Sequence, residues 1–189
     1  MTTEDRRTRI LDAAEELFAE DGFDATPTSR VADAAKVPKG LVFYYFPRKI
    51  DLLLTLLQER LPVPTKDAVS DVVQPGDPAG SLVALHDSLG LESHDSLVLR
   101  TIIFRESGTH EQVRDHLRQL RRSLVELTES ALDQAVEWTV AKTLRRQAAE
   151  TFVSVMLDHA NARRAGGALP DVRGAAAVVA LAVGAQAPR

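Results

Sequence analysis

Four consecutive aromatic side chains stand between basic residues in the segment KVPKGLVFYYFPRK, which runs from Lys36 to Lys49. Residues 26–49 hold five basic side chains and one acidic side chain, whereas the whole chain has a formal net charge of −4. Basic side chains bind phosphate groups, and apolar and hydroxyl groups contact the edges of bases. The segment therefore indicates a local contact with nucleic acid on a protein that is otherwise acidic.

The sequence supports enzymatic catalysis and metal binding less well than it supports a contact with nucleic acid. Its 189 residues include no cysteine, which excludes disulfides, thiolate metal ligands and a cysteine nucleophile. No serine lies in a nucleophile-elbow pattern, and no glycine-rich phosphate loop occurs. No two of the five histidines are four residues apart, the spacing that places two ligands on one helical face. We therefore expect no enzymatic activity, no metal ligands and no cofactor.

Three short helices are predicted around the aromatic segment and would position it. The first has apolar residues at helical spacing and ends at Gly22, since glycine readily adopts the left-handed conformation that closes a helix. Thr26 as a capping residue and Pro27 in the first turn mark the start of the second helix. Pro38 disfavours helical geometry in the residue before it, so the third helix begins near Pro38. Residues 36–38 then form the turn of a helix-turn-helix.

Helical patterns also cover the rest of the chain, and no strand-like alternation of useful length occurs. A fourth helix would stop before Pro62, and prolines and glycines are frequent from there to Gly80. The longest periodic run has apolar residues alternately four and three positions apart, at Val113, Leu117, Leu120, Leu124, Leu127 and Ala131. One face of the last predicted helix holds Val172, Ala176, Val179 and Val183. The sequence thus predicts an all-α protein.

The protein is expected to be cytoplasmic. The first ten residues, MTTEDRRTRI, lack the apolar core of a secretory signal. The most apolar stretch, from Ala175 to Ala187, is too short to cross a bilayer. We therefore interpret that stretch as a packed helix and expect no contact with a membrane.

The helix-turn-helix region resembles the tetracycline-repressor (TetR) family of bacterial transcriptional regulators. The family pattern has a capping threonine, an aliphatic-alanine pair, an alanine before the turn, a valine in the turn, a lysine-glycine pair, an aromatic cluster and a lysine before a leucine-rich helix. The corresponding residues here are Thr26, Val31-Ala32, Ala35, Val37, Lys39-Gly40, Phe43 to Phe46, and Lys49 followed by Leu52, Leu53 and Leu54. The match covers roughly the first quarter of the chain, and the remainder matches in length and helical character.

This resemblance implies a three-helix DNA-binding head at residues 1–50 and a helical-bundle body at residues 51–189 that binds a ligand and dimerises. The last two helices would pair with their copies in a second subunit. The implied function is that of a repressor that binds a palindromic operator as a homodimer and is released by a small-molecule inducer. The alternative is a small-molecule-binding or protein-binding module that keeps the fold and has lost operator binding.

The resemblance also implies which residues bind DNA, and the body offers candidates for a ligand cavity. Lys39, Leu41 and Tyr44 would read bases, while phosphates would be contacted at helix N-termini by Thr26, Thr28 and Lys49. The complete predicted DNA-binding set is Thr26, Thr28, Lys39, Gly40, Leu41, Phe43, Tyr44, Tyr45 and Lys49.

Pockets that bind small molecules are mostly apolar with a few polar anchors. The residues of the body that could line such a pocket are Arg100, Phe104, Trp138, Phe152, Met156 and His159.

Three positions depart from the family pattern. Lys36 stands where glycine is usual in the turn, Pro38 stands where a serine or threonine caps the third helix, and Phe43 replaces the first tyrosine of the cluster. A lysine at positive φ would cost about 1 kcal/mol relative to glycine. Phe43 lacks a hydroxyl group that commonly meets a phosphate in the family. These departures bear on operator affinity and leave the DNA-binding mechanism in place.

Overall fold

The computed structural model describes residues 3–64, 69, 71–91 and 106–187, and the regular elements within these ranges are all helical. The chain divides into two compact units, of which the first comprises Met1–Pro62 with Asp95–His116 and the second comprises Val63–His94 with Leu117–Arg189. The sequence prediction of an all-α fold is confirmed. The predicted division at residue 50 concerns DNA binding and ligand binding, and it stays a prediction.

Among the described residues, the first unit contains four complete helices, a 3₁₀ turn and the start of the helix Glu111–Ala135. The complete elements are α1 (Thr3–Asp21), α2 (Thr28–Ala35), α3 (Lys39–Tyr45), α4 (Lys49–Arg60) and the 3₁₀ turn Glu106–Gly108. α1 packs against α2 and α4, and α2 packs against α3. Each helix contributes one apolar face, and the buried side chains are Ile10, Leu11, Ala14, Phe18, Val31, Ala32, Ala35, Val42, Phe46, Leu52, Leu53, Leu56 and Leu57.

Lys36 makes the turn between α2 and α3 in a left-handed conformation, with φ 55° and ψ 48°. The amide of Val37 donates to the carbonyl of Ala32 at 3.0 Å. The guanidinium of Arg9 donates to the carbonyl of Ala35 and, at 3.2 Å, to that of Lys36. The expected positive φ at this turn is thus confirmed, and Arg9 stabilises the carbonyl groups at the end of α2.

The start of α2 differs from the sequence prediction. Pro27 is the N-cap residue, with extended backbone at φ −74° and ψ 150°, so the assignment of Thr26 as the capping residue is wrong. The Thr26 hydroxyl is buried and donates to the carbonyls of Gly22 at 2.8 Å and Leu17 at 3.3 Å. Carbonyl groups at the end of a helix lack partners within the helix, and the hydroxyl supplies one for α1. The predicted end of α1 at Gly22, which has φ 88°, is confirmed.

The other helices of the described residues are α5 (Pro78–Leu89), α6 (Glu111–Ala135), α7 (Lys142–Ala165) and α8 (Val172–Gly184). In the second unit α8 packs against α7 and α5. Asp171 caps α8 by accepting a hydrogen bond from the amide of Gly174 at 2.8 Å. A Cβ added to Gly174 would lie 2.3 Å from the Asp171 carboxylate, so glycine permits this close cap.

The buried stripes of α6 and α8 follow the predicted spacing. In α6, Leu117 is partly exposed and the other five residues of the predicted stripe are buried. All four predicted residues of α8 are buried. Within the described residues, none of the helices combines the length and the apolar content that spanning a bilayer requires.

Candidate nucleic-acid interface

α3 has an inner face that anchors it and an outer face that is exposed. Val42 is completely buried and Phe46, which follows the helix, is 3% exposed, as their spacing of four residues predicts. On the other side, Phe43 is 41% exposed and Tyr44 is 76% exposed. Lys39 and Gly40 are exposed as well. We refer to Lys39, Gly40, Phe43 and Tyr44 as the outer face of α3.

Ring contacts order part of this surface. The Lys39 ammonium lies 5.8 Å from the centre of the Phe43 ring, within the range of a cation–π contact. The rings of Tyr44 and Tyr45 meet edge to face with centres 5.2 Å apart, and Tyr45 is half-buried beside Phe46. The outer face of α3 therefore presents one ammonium group, two rings and one hydroxyl group close together.

Gly40 lies in this surface without any packing reason for a glycine. A Cβ added at Gly40 would meet no atom within 4 Å, and the neighbouring Leu41 is half-buried. Other residues would therefore fit here as far as the protein's own packing is concerned. The absence of a side chain lets an external surface approach the backbone closely.

The predicted DNA contacts on α2 and α4, and Thr26 before α2, are less exposed than the outer face of α3. Thr28 is half-buried at the start of α2, and the Thr26 hydroxyl is directed inward. A phosphate contact by the Thr26 side chain would require its hydrogen bond to the Gly22 carbonyl to break. Lys49, the first residue of α4, is half-buried.

Lys49 is already engaged within the first unit. Its ammonium group donates to the Asp24 carbonyl at 3.1 Å and lies 4.5 Å from the centre of the Phe23 ring. Burial lowers the pKa of Lys49, and the Asp24 and Glu106 carboxylates partly oppose this shift. Its predicted contact with phosphate would therefore compete with these internal contacts.

Several arginines of the first unit form internal contacts that the sequence interpretation missed. Arg48 donates its amide to the Asp51 carboxylate at 2.9 Å and its guanidinium to the same group at 2.6 Å, which closes the start of α4. Hydrogen bonds from Arg48 hold the pKa of Asp51 below its usual range. Arg7 pairs with Glu59 and lies 5.8 Å from the centre of the Phe46 ring. The spacing of three residues between Arg48 and Asp51 was a signal that could have revealed the first of these contacts.

The predicted ligand residues of the body occupy different environments. Phe152 and Met156 are completely buried on α7, whereas His159 is half-buried and its Nδ1 lies 2.9 Å from the Pro170 carbonyl oxygen. Trp138 is half-buried, and its indole nitrogen is buried without a hydrogen-bond partner in the described part of the chain. Arg100 and Phe104 lie outside the described residues.

A cleft of about 250 Å³ includes one of these ligand candidates. Its lining residues are Val83, His86, Asp87, His159, Pro170, Asp171, Val172 and Arg173. The rings of His86 and His159 meet edge to face there, with centres 5.4 Å apart. The cleft is thus more polar than the cavity that the sequence predicts, and Phe152 and Met156 are part of the packed core.

The side of α8 opposite its buried stripe is also apolar. Val178 is 66% exposed and Leu181 is 76% exposed. Ala177 and Ala182 are exposed beside them. We refer to these four residues as the outer face of α8.

Comparison with known proteins identifies relatives of the N-terminal region. Residues 10–56 match the family described as "Bacterial regulatory proteins, tetR family". The Fatty acid metabolism regulator protein of Bacillus subtilis (strain 168) is 23% identical over 132 residues, which cover 68% of this chain and 67% of that protein. The HTH-type transcriptional repressor KstR of Mycobacterium tuberculosis (strain ATCC 25618 / H37Rv) is 42% identical over 53 residues, covering 28% of this chain and 24% of that repressor.

Two solved structures show the same fold over nearly the whole chain. NalD, the secondary repressor of the MexAB-OprM multidrug efflux pump in Pseudomonas aeruginosa, is 25% identical with a TM-score of 0.65 and 95% coverage of both chains. The SmeT–triclosan complex has a TM-score of 0.70 at 17% identity and covers 94% of this chain and 90% of SmeT. The likeness therefore extends from the helix-turn-helix through the helices of the second unit.

Proposed function

The chain belongs to the tetR family of bacterial regulatory proteins, and we propose that it is a ligand-responsive repressor that binds a palindromic operator as a homodimer. The observation that carries this proposal is the outer face of α3, where Lys39 stands beside two exposed rings. The chain has nine aromatic residues in all, and exposing two of them side by side indicates a binding surface. The buried side chains of Val42 and Phe46 hold this surface in a fixed orientation on its own helix.

The outer face of α3 matches the chemistry of the major groove. The groove of B-form DNA is about 12 Å wide and admits an α-helix. Lys39 donates to guanine acceptors or to a phosphate, and the Tyr44 hydroxyl donates or accepts at a base edge or phosphate. Leu41 and Phe43 provide apolar contacts with thymine methyl groups. The proposed contacts with the backbone of the duplex are made by Thr26, Thr28, Tyr45 and Lys49.

The proposed partner of the protein itself is a second copy of the chain. The outer face of α8 carries apolar side chains and no charge, which fits another apolar protein surface. Two copies related by a two-fold axis would place two α3 helices on half-sites about 34 Å apart, or somewhat more, along the duplex. The operator is therefore proposed to be a near-palindrome.

We propose that a small molecule bound in the body releases the operator. A ligand that binds more tightly to a state with a different spacing of the two α3 helices shifts the population toward that state. The proposed contacts are Arg100, Phe104, Trp138, Phe152, Met156 and His159. The names of NalD and SmeT associate those proteins with an efflux pump and with triclosan, respectively, so small apolar molecules are the first compounds to test.

The alternative, a module that has lost operator binding, has less support because the outer face of α3 is exposed and basic. The relatives are named as regulators, and we propose no catalytic role. The protein would act in the cytoplasm, where the chromosome lies.

Fluorescence anisotropy with labelled DNA from upstream of the gene, compared with scrambled DNA at two salt concentrations, tests the function. We expect tighter binding to the upstream DNA and a steep loss of affinity as the salt concentration rises, because released counterions accompany each phosphate contact. Equal binding to both DNAs at both salt concentrations would contradict operator recognition. It would favour the module that has lost its operator.

A further inference from the structure

Three side chains with metal-ligating atoms converge within the first unit. Asp24 lies between α1 and α2, Glu106 opens the 3₁₀ turn, and His110 directly precedes α6. One ligating atom from each of these residues lies within 4.8 Å of the other two, and the described part of the chain contains no other group of this kind. The set combines one imidazole with two carboxylates, a combination that suits zinc and its neighbours among the transition metals.

The two separations that involve His110 fit a tetrahedral ion. His110 Nε2 lies 3.2 Å from Glu106 Oε2 and 3.6 Å from Asp24 Oδ1. Bonds from Zn²⁺ to nitrogen and oxygen are about 2.0–2.2 Å long, so neighbouring ligands of a tetrahedral site stand about 3.3–3.6 Å apart. Both measured separations agree with this range to within about 0.1 Å. The Asp24 and Glu106 oxygens lie within 4.8 Å of each other, so a small cation could contact all three atoms once those two oxygens approach the tetrahedral spacing.

The imidazole nitrogen at the centre of this cluster lacks a well-formed hydrogen bond. His110 Nε2 is buried and makes none with the described residues, although it lies beside two carboxylate oxygens. The Glu106 side chain is 4% exposed, which leaves its negative charge poorly hydrated. A divalent cation bound to all three groups would satisfy the nitrogen and neutralise both carboxylates.

Neighbouring groups hold the ligands in place. Glu106 Oε1 accepts a hydrogen bond from the Phe23 amide at 3.3 Å. Glu106 Oε2 faces His110 and also accepts a long hydrogen bond, of 3.5 Å, from the Thr109 hydroxyl, which an ion bound to Oε2 would weaken or replace. The His110 ring packs edge to face against Phe23 with centres 4.9 Å apart. Lys49 donates to the carbonyl oxygen of Asp24 and leaves its carboxylate available. Such support orients ligands and raises metal affinity.

We propose that Asp24, Glu106 and His110 bind one divalent transition-metal ion, with zinc as the best fit, and that water completes a tetrahedral site. The Asp24 side chain is 76% exposed, so the ion has a path from solvent. The two carboxylates and the Lys49 ammonium carry a combined charge of −1 before the ion binds, which favours a cation. The bound ion would link the loop between α1 and α2 to the segment 106–110.

Zinc titration of the untagged full-length protein, freed of metal by a chelator and competed against a chromophoric zinc indicator, tests this site. We expect one equivalent of Zn²⁺ per chain. His110→Gln and Asp24→Asn should each weaken binding at least tenfold. His116→Gln is the matched control, because His116 lies in the same unit and its Nε2 contacts the Leu61 carbonyl instead. This control should bind zinc as the unaltered protein does.

Zinc binding that is absent from the unaltered protein, or equal in all three variants, would overturn the proposal. Circular dichroism of each metal-free variant separates loss of the site from loss of the fold. Asp24→Asn decides the matter if His110→Gln unfolds, since the exposed Asp24 side chain can change while the hydrogen bonds of Glu106 stay intact. The measurement contains no DNA, so it is independent of operator binding.

Discussion

The outer faces of α3 and α8 both expose apolar side chains, but their polar neighbours differ. On α3, Lys39 stands against the Phe43 ring and Tyr44 carries a hydroxyl group. On α8, Val178 and Leu181 have alanines beside them, and the one charged side chain of the helix, the exposed Arg173, lies at its start. A polyanion with apolar base edges fits the first surface, whereas only another apolar surface fits the second.

The packing of the two helices explains why these apolar groups stay exposed. Each helix is anchored by buried side chains, namely Val42 on α3 and a stripe of four residues on α8. Neither helix can rotate to bury its outer face without exposing its inner face. The exposed apolar groups are therefore fixed in place, and the nature of their polar neighbours indicates which partner covers them.

The largest effect is expected from a charge placed on the outer face of α8. Leu181→Asp would bury an unpaired carboxylate in the proposed dimer interface, at a cost of about 3–5 kcal/mol. The dimer dissociation constant should rise by roughly two to four orders of magnitude. Sedimentation velocity over a range of concentrations measures this change directly.

Gln119→Asp provides the control for the dimer experiment, because Gln119 is exposed on α6, outside the last two helices. Its dissociation constant should match that of the unaltered protein. A Leu181→Asp variant that stays dimeric at low concentration would show that the outer face of α8 lies outside the interface. The proposal that another apolar protein surface covers the outer face of α8 would then be wrong for the dimer.

The next largest effect is expected from the outer face of α3. Lys39→Ala should weaken binding to the operator by about 1–3 kcal/mol if Lys39 reads a base, and should weaken binding to random DNA much less. Anisotropy titrations on both DNAs measure the difference. The melting temperature should not change, since Lys39 is exposed and its recorded contact is with the Phe43 ring. Equal losses on operator and random DNA would assign Lys39 to a phosphate instead.

Lys49→Ala tests whether Lys49 contacts DNA, stabilises the protein through its internal contacts, or does both. If Lys49 contacts a phosphate, all DNA sequences should be bound more weakly, and the salt slope should fall by about 1. The same change removes a hydrogen bond to the Asp24 carbonyl and a contact with the Phe23 ring, so unfolding should require about 1 kcal/mol less. Urea unfolding and salt-dependent titrations separate the two effects. An unchanged salt slope with lowered stability would give Lys49 a purely structural role.

The sequence predicted the features that depend on local spacing. The inward positions of Val42 and Phe46 and the buried stripe of α8 follow from helical periodicity. The left-handed conformation at Lys36 was implied by the family resemblance, because glycine is usual at that position of the turn. Periodicity acts over one or two turns, so patterns of this kind are visible in a single sequence.

The features that sequence reasoning missed depend on contacts between distant residues. The inward direction of the Thr26 hydroxyl depends on where the end of α1 lies in space. Asp24 and Glu106 are far apart in the chain, and no local pattern brings them together. A search for pairs of histidines overlooked the spacing of four residues between Glu106 and His110. That spacing was a usable signal, since carboxylates and imidazoles ligate metals together.

The smallest effect is expected from a change at Lys36. This residue forms the turn before α3 and lies outside the outer face of α3, so the change tests the backbone of the turn alone. Lys36→Gly removes the steric cost of a left-handed residue, about 1–2 kcal/mol, and adds about 0.4–1 kcal/mol of unfolded-state entropy. We expect the free energy of unfolding to rise by up to about 1 kcal/mol in urea titrations. Lys36→Ala is the control, because it removes the same charge and keeps the strained backbone, so it should give no gain. An equal gain in both variants would attribute the effect to the charge. Operator affinity should stay unchanged in both, since the outer face of α3 begins at Lys39, and a parallel loss of affinity would instead extend that surface into the turn.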